Sequence, residues 1–73
     1  MTAAEFQHIA TGIPKLPGIY KYYNSENELL YVGKAKHLRK RVSSYFIKTL
    51  TSYKTYELVQ RIERIEFTIV NSE

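Results

Sequence analysis

Phenols and cations recur at short intervals in the first half of this chain. The residues with the most useful combined chemistry are Tyr20, Tyr31, Lys34, Arg41 and Tyr45. Fixed cations stabilise the charge that spreads over a phosphodiester in its transition state, and an arginine does so through two parallel hydrogen bonds. A phenol can orient an attacking water, but its pKa of about 10 makes it a weak base unless cations or a metal lower that pKa. The combination therefore favours phosphoryl transfer.

A structural role is the alternative for each of these residues. Tyrosines in hairpins commonly pack half-buried with a solvated hydroxyl. A basic helix face is commonly just a solvated face. For any one of these residues taken alone, a structural role is more frequent than a catalytic one. Their clustering raises the odds of catalysis but does not by itself make it the more frequent role.

The elements that must position these side chains begin with a hairpin. Residues 3–10 favour a short helix with Phe6 and Ile9 on its apolar side, and residues 11–14 break it. Residues 19–23 and 29–32 are rich in strand-forming side chains and are joined by five polar residues, which predicts an antiparallel hairpin closed by Gly33. Because side chains alternate along a strand, a plausible register places Tyr20 and Tyr31 on one side.

A helix is predicted from Ala35 to Phe46, with Leu38 and Val42 between them on one apolar arc of about 80° that faces the sheet. Lys34 is taken as the zero of the same helical wheel. The next two polar residues of the cluster then lie about 20° to either side of it, so the three form one column. That column contains Lys34, Arg41 and Tyr45.

The remaining elements complete a small α/β (α+β) domain. A second helix is predicted over residues 55–65, with Leu58, Val59, Ile62 and Ile65 on its buried side. A third strand follows over residues 66–70, and Asn71 and Ser72 signal the cap of another helix. We expect one domain over residues 1–73, with residues 1–13 as a lead-in. Its sheet has three mainly antiparallel strands and its C-terminal helix is missing.

Composition narrows the function classes. The chain has 73 residues, a net charge of +4 and no cysteine, which excludes disulfides, thiolate metal sites and cysteine nucleophiles. The sequence lacks an apolar run long enough to span a membrane, and we see no secretory signal at its start. Five Lys or Arg residues and one His lie between residues 34 and 41 without an acidic residue, so one end of the molecule is expected to bind an acidic partner such as nucleic acid.

The motif strings resemble a known family. The string PGIY at residues 17–20 is followed by YVGKAK at 31–36, then by Leu38 and by RVSSYF at 41–46. Placed around a hairpin turn, this pattern closely resembles the GIY-YIG nuclease superfamily, specifically its UvrC-type branch. The match covers about residues 14–73.

The resemblance implies roles for the cluster. Tyr20 and Tyr31 look like the two motif tyrosines that flank the attacking water, and which of them is the general base stays open. Lys34 and Arg41 look like the cations that hold the scissile phosphate, and Tyr45 looks like a third active-site phenol.

Two glycines and a metal complete the implied site. Gly18 and Gly33 fit positions where a phosphate and neighbouring backbone approach closely. Proteins of this family use one Mg²⁺ or Mn²⁺ ion, held by a glutamate on the helix after the third strand, to stabilise the leaving oxygen. Glu73 resembles an acidic residue at the start of that segment, so the ligand is expected beyond it. The 73 residues alone are then expected to cut very weakly or not at all.

The resemblance also implies a substrate and partners. The basic side of the predicted helix, Lys36, His37, Arg39 and Lys40, could track DNA phosphates, although a solubilising face explains each residue about as well. The implied role is incision on the 3′ side of a lesion in damaged double-stranded DNA, with UvrB as partner and UvrA upstream. A second nuclease domain downstream and a cytoplasmic bacterial location, with a link to the SOS response, are further implications.

Three alternatives remain open from sequence. The same module can be fused behind an exonuclease domain, but Met1 lies shortly before the motif, which mildly favours a module that opens its protein. The chain can also be a DNA-backbone-binding module without catalysis. The third alternative is a protein–protein interaction domain, which predicts no salt-dependent affinity for DNA.

Overall fold

A three-stranded antiparallel sheet carries the chain's helices and confirms the expected α+β class. The computed structural model describes residues 1–46 and 53–70. Its elements in chain order are α1 (Ala3–Ala10), β1 (Gly18–Tyr23), β2 (Leu29–Ala35), α2 (Leu38–Ser44), α3 (Tyr53–Arg61) and β3 (Arg64–Ile69). Strand β1 is central, in the order β2-β1-β3, and pairs antiparallel with both neighbours. The predicted helix cap at 71–72 lies outside the described residues.

Helix α1 begins with a capping box. The hydroxyl of Thr2 accepts from the backbone N–H of Glu5 at 3.1 Å, and the Glu5 carboxylate accepts from the backbone N–H of Thr2 at 2.8 Å. Phe6 is buried and stacks on Phe46 with ring centroids 4.3 Å apart. The predicted apolar side was right for Phe6 but wrong for Ile9, which is 38 % exposed.

The hairpin has the predicted face. Tyr22 pairs with Tyr31 and Tyr20 pairs with Gly33, so the side chains of Tyr20, Tyr22 and Tyr31 lie on one side of the sheet. The polar turn is built by Asn24, whose side-chain oxygen accepts from the backbone N–H groups of Glu26 and Glu28. A β-bulge between Tyr22 and Tyr23 absorbs one extra residue.

The helix predicted from Ala35 to Phe46 begins later than predicted. Strand β2 continues past Gly33, with Lys34 opposite Ile19 and Ala35 opposite Gly18. Strand pairing satisfies the backbone groups of these residues, so α2 begins only at Leu38, three residues later than predicted. Lys34 therefore lies on a strand and shares no helical column with Arg41.

The later elements are also shifted from their predicted bounds. Helix α3 ends at Arg61, so Ile62 and Ile65 are not on its buried side, although Ile62 is fully buried in the link that follows. Ile65 belongs to β3 and lies opposite Tyr22. Pairing along the whole of β1 draws β3 back to Arg64, two residues earlier than predicted, because each added pair satisfies further backbone groups.

One face of the sheet holds the core. The buried apolar residues come from that face and from the helices and loops that cover it: Phe6, Ile13, Tyr20, Tyr22, Leu38, Val42, Val59 and Ile62. None of the helices in the described part of the chain is long and apolar enough to cross a membrane.

Arg39 fastens the loop before β1 to the start of α2. Its Nε donates to the carbonyl of Ile13 at 2.9 Å, and its Nη2 donates to the carbonyl of Thr11 at 2.8 Å. The backbone N–H of Arg39 also donates to the carbonyl of Pro14 at 3.1 Å. This guanidinium is therefore engaged by the fold, although sequence grouped it with an exposed basic face.

Replacing Arg39 should destabilise the fold without touching the phenols. Hydrogen bonds from a charged donor contribute about 1.5–3 kcal/mol each to stability, and exposure of one of them reduces the expected loss for Arg39→Ala to about 1–3 kcal/mol. Urea unfolding measures it. Lys40→Ala removes the neighbouring, exposed cation and should change the free energy of unfolding by less than about 0.5 kcal/mol. Equal losses of stability in the two variants would contradict a stabilising role for the hydrogen bonds of Arg39 to the loop.

Candidate active site

Four tyrosines form one cluster on the covered face of the sheet. The cluster contains Tyr20, Tyr22, Tyr31 and Tyr45, and every pair of their ring centroids lies between 5.2 and 6.4 Å apart. Alternation along β1 and the register with β2 supply the first three rings. Tyr45 enters from the C-cap position of α2. The hairpin and the end of one helix are thus sufficient to assemble it.

Hydrogen bonds link two of the phenols to a guanidinium. The hydroxyl oxygens of Tyr20 and Tyr45 are 3.0 Å apart. The Nε of Arg41 donates to the hydroxyl of Tyr20 at 3.4 Å, and its guanidinium carbon lies 5.7 Å from the Tyr45 ring centroid. The hydrogen bond to Tyr20 raises the pKa of Arg41 above its already high usual value, so this side chain stays cationic.

The two motif tyrosines differ in exposure. Tyr20 is 1 % exposed, whereas Tyr31 is 42 % exposed. Tyr31 is therefore open to solvent, while the hydroxyl of Tyr20 is in contact with Tyr45 and Arg41.

Burial keeps two of the phenols protonated. Burial, followed by the hydrogen bond with Tyr20, raises the pKa of Tyr45 well above the usual value of a phenol. Burial also raises the pKa of Tyr22, and the nearby phenols Tyr45 and Tyr20 raise it further. At neutral pH both hydroxyls carry their protons, so each can donate a hydrogen bond and neither can act as a base.

A cationic groove lies beside the cluster. Its volume is about 450 Å³, and its lining residues are Lys34, Ala35, Lys36, His37, Lys40, Arg41 and Ser44. Four of these side chains are cations and none is a carboxylate, so the groove attracts anions. Lys34 reaches the groove from strand β2 and Arg41 from helix α2, so the two predicted phosphate-binding residues converge by a route that the helical wheel did not describe.

The four predicted DNA-binding residues have different positions. Lys36 and Lys40 line the groove. His37 also lines it, and its Nδ1 accepts from the backbone N–H of Lys40 at 3.1 Å, which caps α2. Arg39 is turned toward the loop at Thr11 and Ile13 and does not line the groove.

Two glycines allow close packing around the cluster. A Cβ atom on Gly33 would overlap the ring and hydroxyl of Tyr20. Tyr20 belongs to the central strand β1, and its side chain lies over this glycine. A Cβ atom on Gly18 would overlap the carbonyl of Thr68 on β3 and the side chain of Leu38. At Gly33 the close neighbour within the chain is thus a tyrosine ring, and at Gly18 it is backbone.

Tyr22 was missing from the predicted site. Its alternation with Gly18 and Tyr20 on β1 was visible in the sequence and placed it on the right face. Its contact with all three other phenols depends on the register with β2 and on the end of α2, which sequence alone does not specify.

The described residues do not offer a metal site. Across residues 1–46 and 53–70, no three His or carboxylate side chains are grouped where they could hold an ion. Several carboxylates are engaged elsewhere: Glu5 caps α1, Glu28 accepts from Asn24, and Glu66 pairs with Arg64 and Tyr23.

The fold and the site define a small α+β domain in which a cluster of phenols adjoins a groove lined by cations. A sequence profile for the UvrC-like GIY-YIG domain matches residues 16–73. The chain belongs to this family.

Relatives and solved structures agree with that assignment. UvrABC system protein C of Acinetobacter baumannii is 52 % identical over 67 residues, which are 92 % of this chain and 11 % of that protein. The protein of the same name from Psychrobacter cryohalolentis is 49 % identical over 70 residues, 96 % of this chain and 11 % of that protein. This chain therefore spans about a tenth of the length of the curated relatives that it matches.

The GIY-YIG N-terminal endonuclease domain of UvrC from Thermotoga maritima has the same fold. A point mutant bound to its catalytic divalent cation superposes with a TM-score of 0.79 at 26 % identity, covering 94 % of this chain and 73 % of that one. The magnesium-bound form gives a TM-score of 0.77 at 25 % identity, covering 92 % and 72 %.

Substitution at Gly33 tests the packing of the cluster. Gly33→Ala forces a methyl group against the Tyr20 ring, and such overpacking typically costs about 1–3 kcal/mol of stability. Urea unfolding should show that loss. Gly12→Ala is the matched control, because a Cβ there would lie at an ordinary 3.5 Å from the carbonyl oxygen of Ile9. A Gly33→Ala protein as stable as Gly12→Ala would contradict the packing of Tyr20 across Gly33.

Proposed function

We propose that this chain is the nuclease domain of a nucleotide-excision-repair endonuclease that hydrolyses a DNA phosphodiester on the 3′ side of a lesion. The observation that carries the proposal is that the exposed Tyr31 belongs to a phenol cluster beside a cationic groove. Arg41 connects the two, because it donates to Tyr20 and also lines the groove. Phosphodiester hydrolysis needs both parts, an anion site and a group that handles the attacking water.

The groove binds the scissile phosphate in this proposal. Lys34 and Arg41 approach it from a strand and a helix, so the two charges are fixed by separate elements. Arg41 is held by Tyr20 and contacts the Tyr45 ring, which orients its remaining N–H donors. A guanidinium fixed in this way stabilises the added charge of the transition state without rearrangement.

The phenols divide the remaining work. Tyr31 is the exposed motif tyrosine, and we assign to it the orientation of the attacking water and removal of its proton. Tyr45 stays protonated, so it donates a hydrogen bond to a phosphate oxygen. Tyr20 is buried and positions Arg41 and Tyr45 through its hydroxyl.

A divalent cation, Mg²⁺ or Mn²⁺, is part of the proposal, because the solved Thermotoga domains carry a catalytic divalent cation. By the resemblance to the family, we place its glutamate ligand on the helix after the third strand, beyond Glu73. The phosphate groove and the phenols are the contribution of the residues described.

The substrate and partners follow from the UvrABC relatives. The substrate is damaged double-stranded DNA, and the partners are UvrB, with UvrA acting upstream, in the bacterial cytoplasm. The groove is lined by charges that suit backbone phosphates, so recognition of the lesion is assigned to the partner proteins.

A DNA-backbone-binding module without catalysis is the second candidate. It is favoured by one observation, that the groove is lined by four cations and by no carboxylate, which suits backbone phosphates whether or not they are cut. Under this candidate Tyr31 has no role in hydrolysis.

Nicking of supercoiled plasmid distinguishes the two candidates. A full-length protein containing these residues should nick with Mg²⁺ or Mn²⁺, and the 73-residue chain should nick very weakly or not at all. Tyr31→Phe should lower the nicking rate about 10²- to 10⁴-fold, the usual contribution of a general base.

Tyr53→Phe is the matched control for that loss, because it removes another phenol that is 75 % exposed on α3. It should leave the rate unchanged. A full-length protein that binds DNA and does not nick, or a Tyr31→Phe protein at the wild-type rate, would favour the binding module.

Salt dependence tests the groove. Lys40→Gln should reduce the slope of log affinity against log salt by about 0.9, because one phosphate contact is lost. Fluorescence anisotropy with a labelled duplex at several salt concentrations measures the slope. Lys15→Gln removes an exposed lysine that does not line the groove and should leave the slope unchanged. Equal slopes for the two variants would argue against phosphate binding in the groove.

A further inference from the structure

Tyr22 occupies the centre of the phenol cluster without reaching solvent. It is 0 % exposed and is one of the largest fully buried side chains of the described residues. Its strand, β1, is paired on both sides, with Tyr31 opposite it on β2 and Ile65 opposite it on β3. Its backbone position is therefore among the most constrained in the domain.

The Tyr22 ring touches each of the three phenols assigned to the reaction. Its centroid lies 5.3 Å from that of Tyr20, 6.2 Å from that of Tyr31 and 5.2 Å from that of Tyr45. The contact with Tyr45 is edge-to-face, with an interplanar angle of 86°. Rings at these separations and angles are in the preferred range for aromatic pairs.

Tyr45 needs this contact more than the other phenols do. It sits at the C-cap of α2, where its backbone N–H donates to the carbonyl of Val42 at 3.1 Å, so α2 has no following turn whose side chains could pack against its ring. The partners of its side chain are the Tyr20 hydroxyl, the Arg41 guanidinium and the surrounding rings. A rigid ring edge-on to Tyr45 restricts its rotation and fixes the position of its hydroxyl.

No hydrogen bond of the Tyr22 hydroxyl accounts for a tyrosine at this position. This hydroxyl oxygen is the one buried side-chain polar atom among the described residues that has no partner. Burying such a group unpaired is unfavourable, so stability alone would favour a phenylalanine here. The contacts that the structure gives this side chain are those of its ring.

We propose that Tyr22 is a positioning residue, whose buried ring holds Tyr20, Tyr31 and Tyr45 at their mutual spacing, and that this role rests on its ring. The inference rests on the proposed function, because it assigns to Tyr22 an effect on the rate of phosphodiester hydrolysis through its three neighbours. Tyr22 itself touches neither the phosphate nor the attacking water, since it is fully buried.

Two substitutions separate the ring from the hydroxyl in the full-length protein. Tyr22→Phe keeps the plane and removes the unpaired hydroxyl, so the nicking rate at saturating DNA should stay within about threefold of wild type. Tyr22→Leu removes the plane, and a displacement of about 1 Å in the catalytic phenols can lower the rate on the order of 100-fold. We expect a loss of about 10- to 100-fold, with the affinity for DNA within about threefold because the groove residues are untouched.

Val59→Ala controls for simple loss of stability. Val59 is buried in the same core but belongs to α3 and lies outside the phenol cluster. Rates are compared at temperatures where the fractions folded are equal, and there Val59→Ala should retain the wild-type rate. If Tyr22→Leu does not fold, Tyr22→Ile replaces it, because a β-branched residue favours the strand.

A second measurement is independent of nicking. In the 73-residue chain, nuclear Overhauser effects between ring protons of Tyr31 and Tyr45 report the spacing of two rings whose centroids are 6.4 Å apart. They should persist in Tyr22→Phe and Val59→Ala and weaken in Tyr22→Leu.

The outcomes are distinct. The proposal is overturned if Tyr22→Leu keeps both the rate and the Overhauser effects, or if it loses no more rate than Val59→Ala. It is also overturned if Tyr22→Phe loses as much rate as Tyr22→Leu, because the hydroxyl would then carry the role. If the wild-type protein does not nick, the proposed function fails, and the Overhauser effects still decide whether the Tyr22 ring sets the spacing.

Discussion

The pairing of β1 on both of its edges is the constraint on which the rest of the structure depends. This pairing puts Tyr20 opposite Gly33 and Tyr22 opposite Tyr31, and a shift by one residue would turn every one of these side chains to the other face. Gly33 makes the register possible, because any side chain there would occupy the space of the Tyr20 ring. The phenol cluster is therefore a consequence of strand pairing, and helix α2 completes it by bringing Tyr45 to its edge.

Burial divides the site into two chemically different parts. Tyr20, Tyr22 and Tyr45 lie inside or at the margin of the core, and burial raises the pKa values of Tyr22 and Tyr45. The cations stand outside, along a groove without carboxylates. Arg41 joins the two parts, since it lines the groove and also donates to Tyr20. Charge that develops on a bound phosphate would thus meet fixed cations on one side and protonated hydroxyls on the other.

Basic residues that look equivalent in the sequence are sorted by the fold. Arg39 and Lys40 are neighbours on α2, yet the first is bound to two loop carbonyls and the second lines the groove. Their side chains leave the helix about 100° apart, so neighbouring residues need not share a face. The same argument explains why Lys40 remains a candidate for phosphate contacts while Arg39 is better described as part of the scaffold. Lys36 lies in the link before α2 and also lines the groove.

The sequence by itself determined the order of elements, the hairpin and the shared face of Tyr20 and Tyr22 on β1, because turn residues and period-two alternation act locally. The register that brings Tyr31 to the same face was decided by strand pairing. The motif strings also determined the family. Only the tertiary structure decided that Lys34 lies on a strand, that Tyr20 is buried while Tyr31 is open, and that Tyr22 contacts all three other phenols. Those features depend on partners far apart in the chain: β1 extends β2 to Ala35 through backbone pairing, which local helix propensity could not reveal.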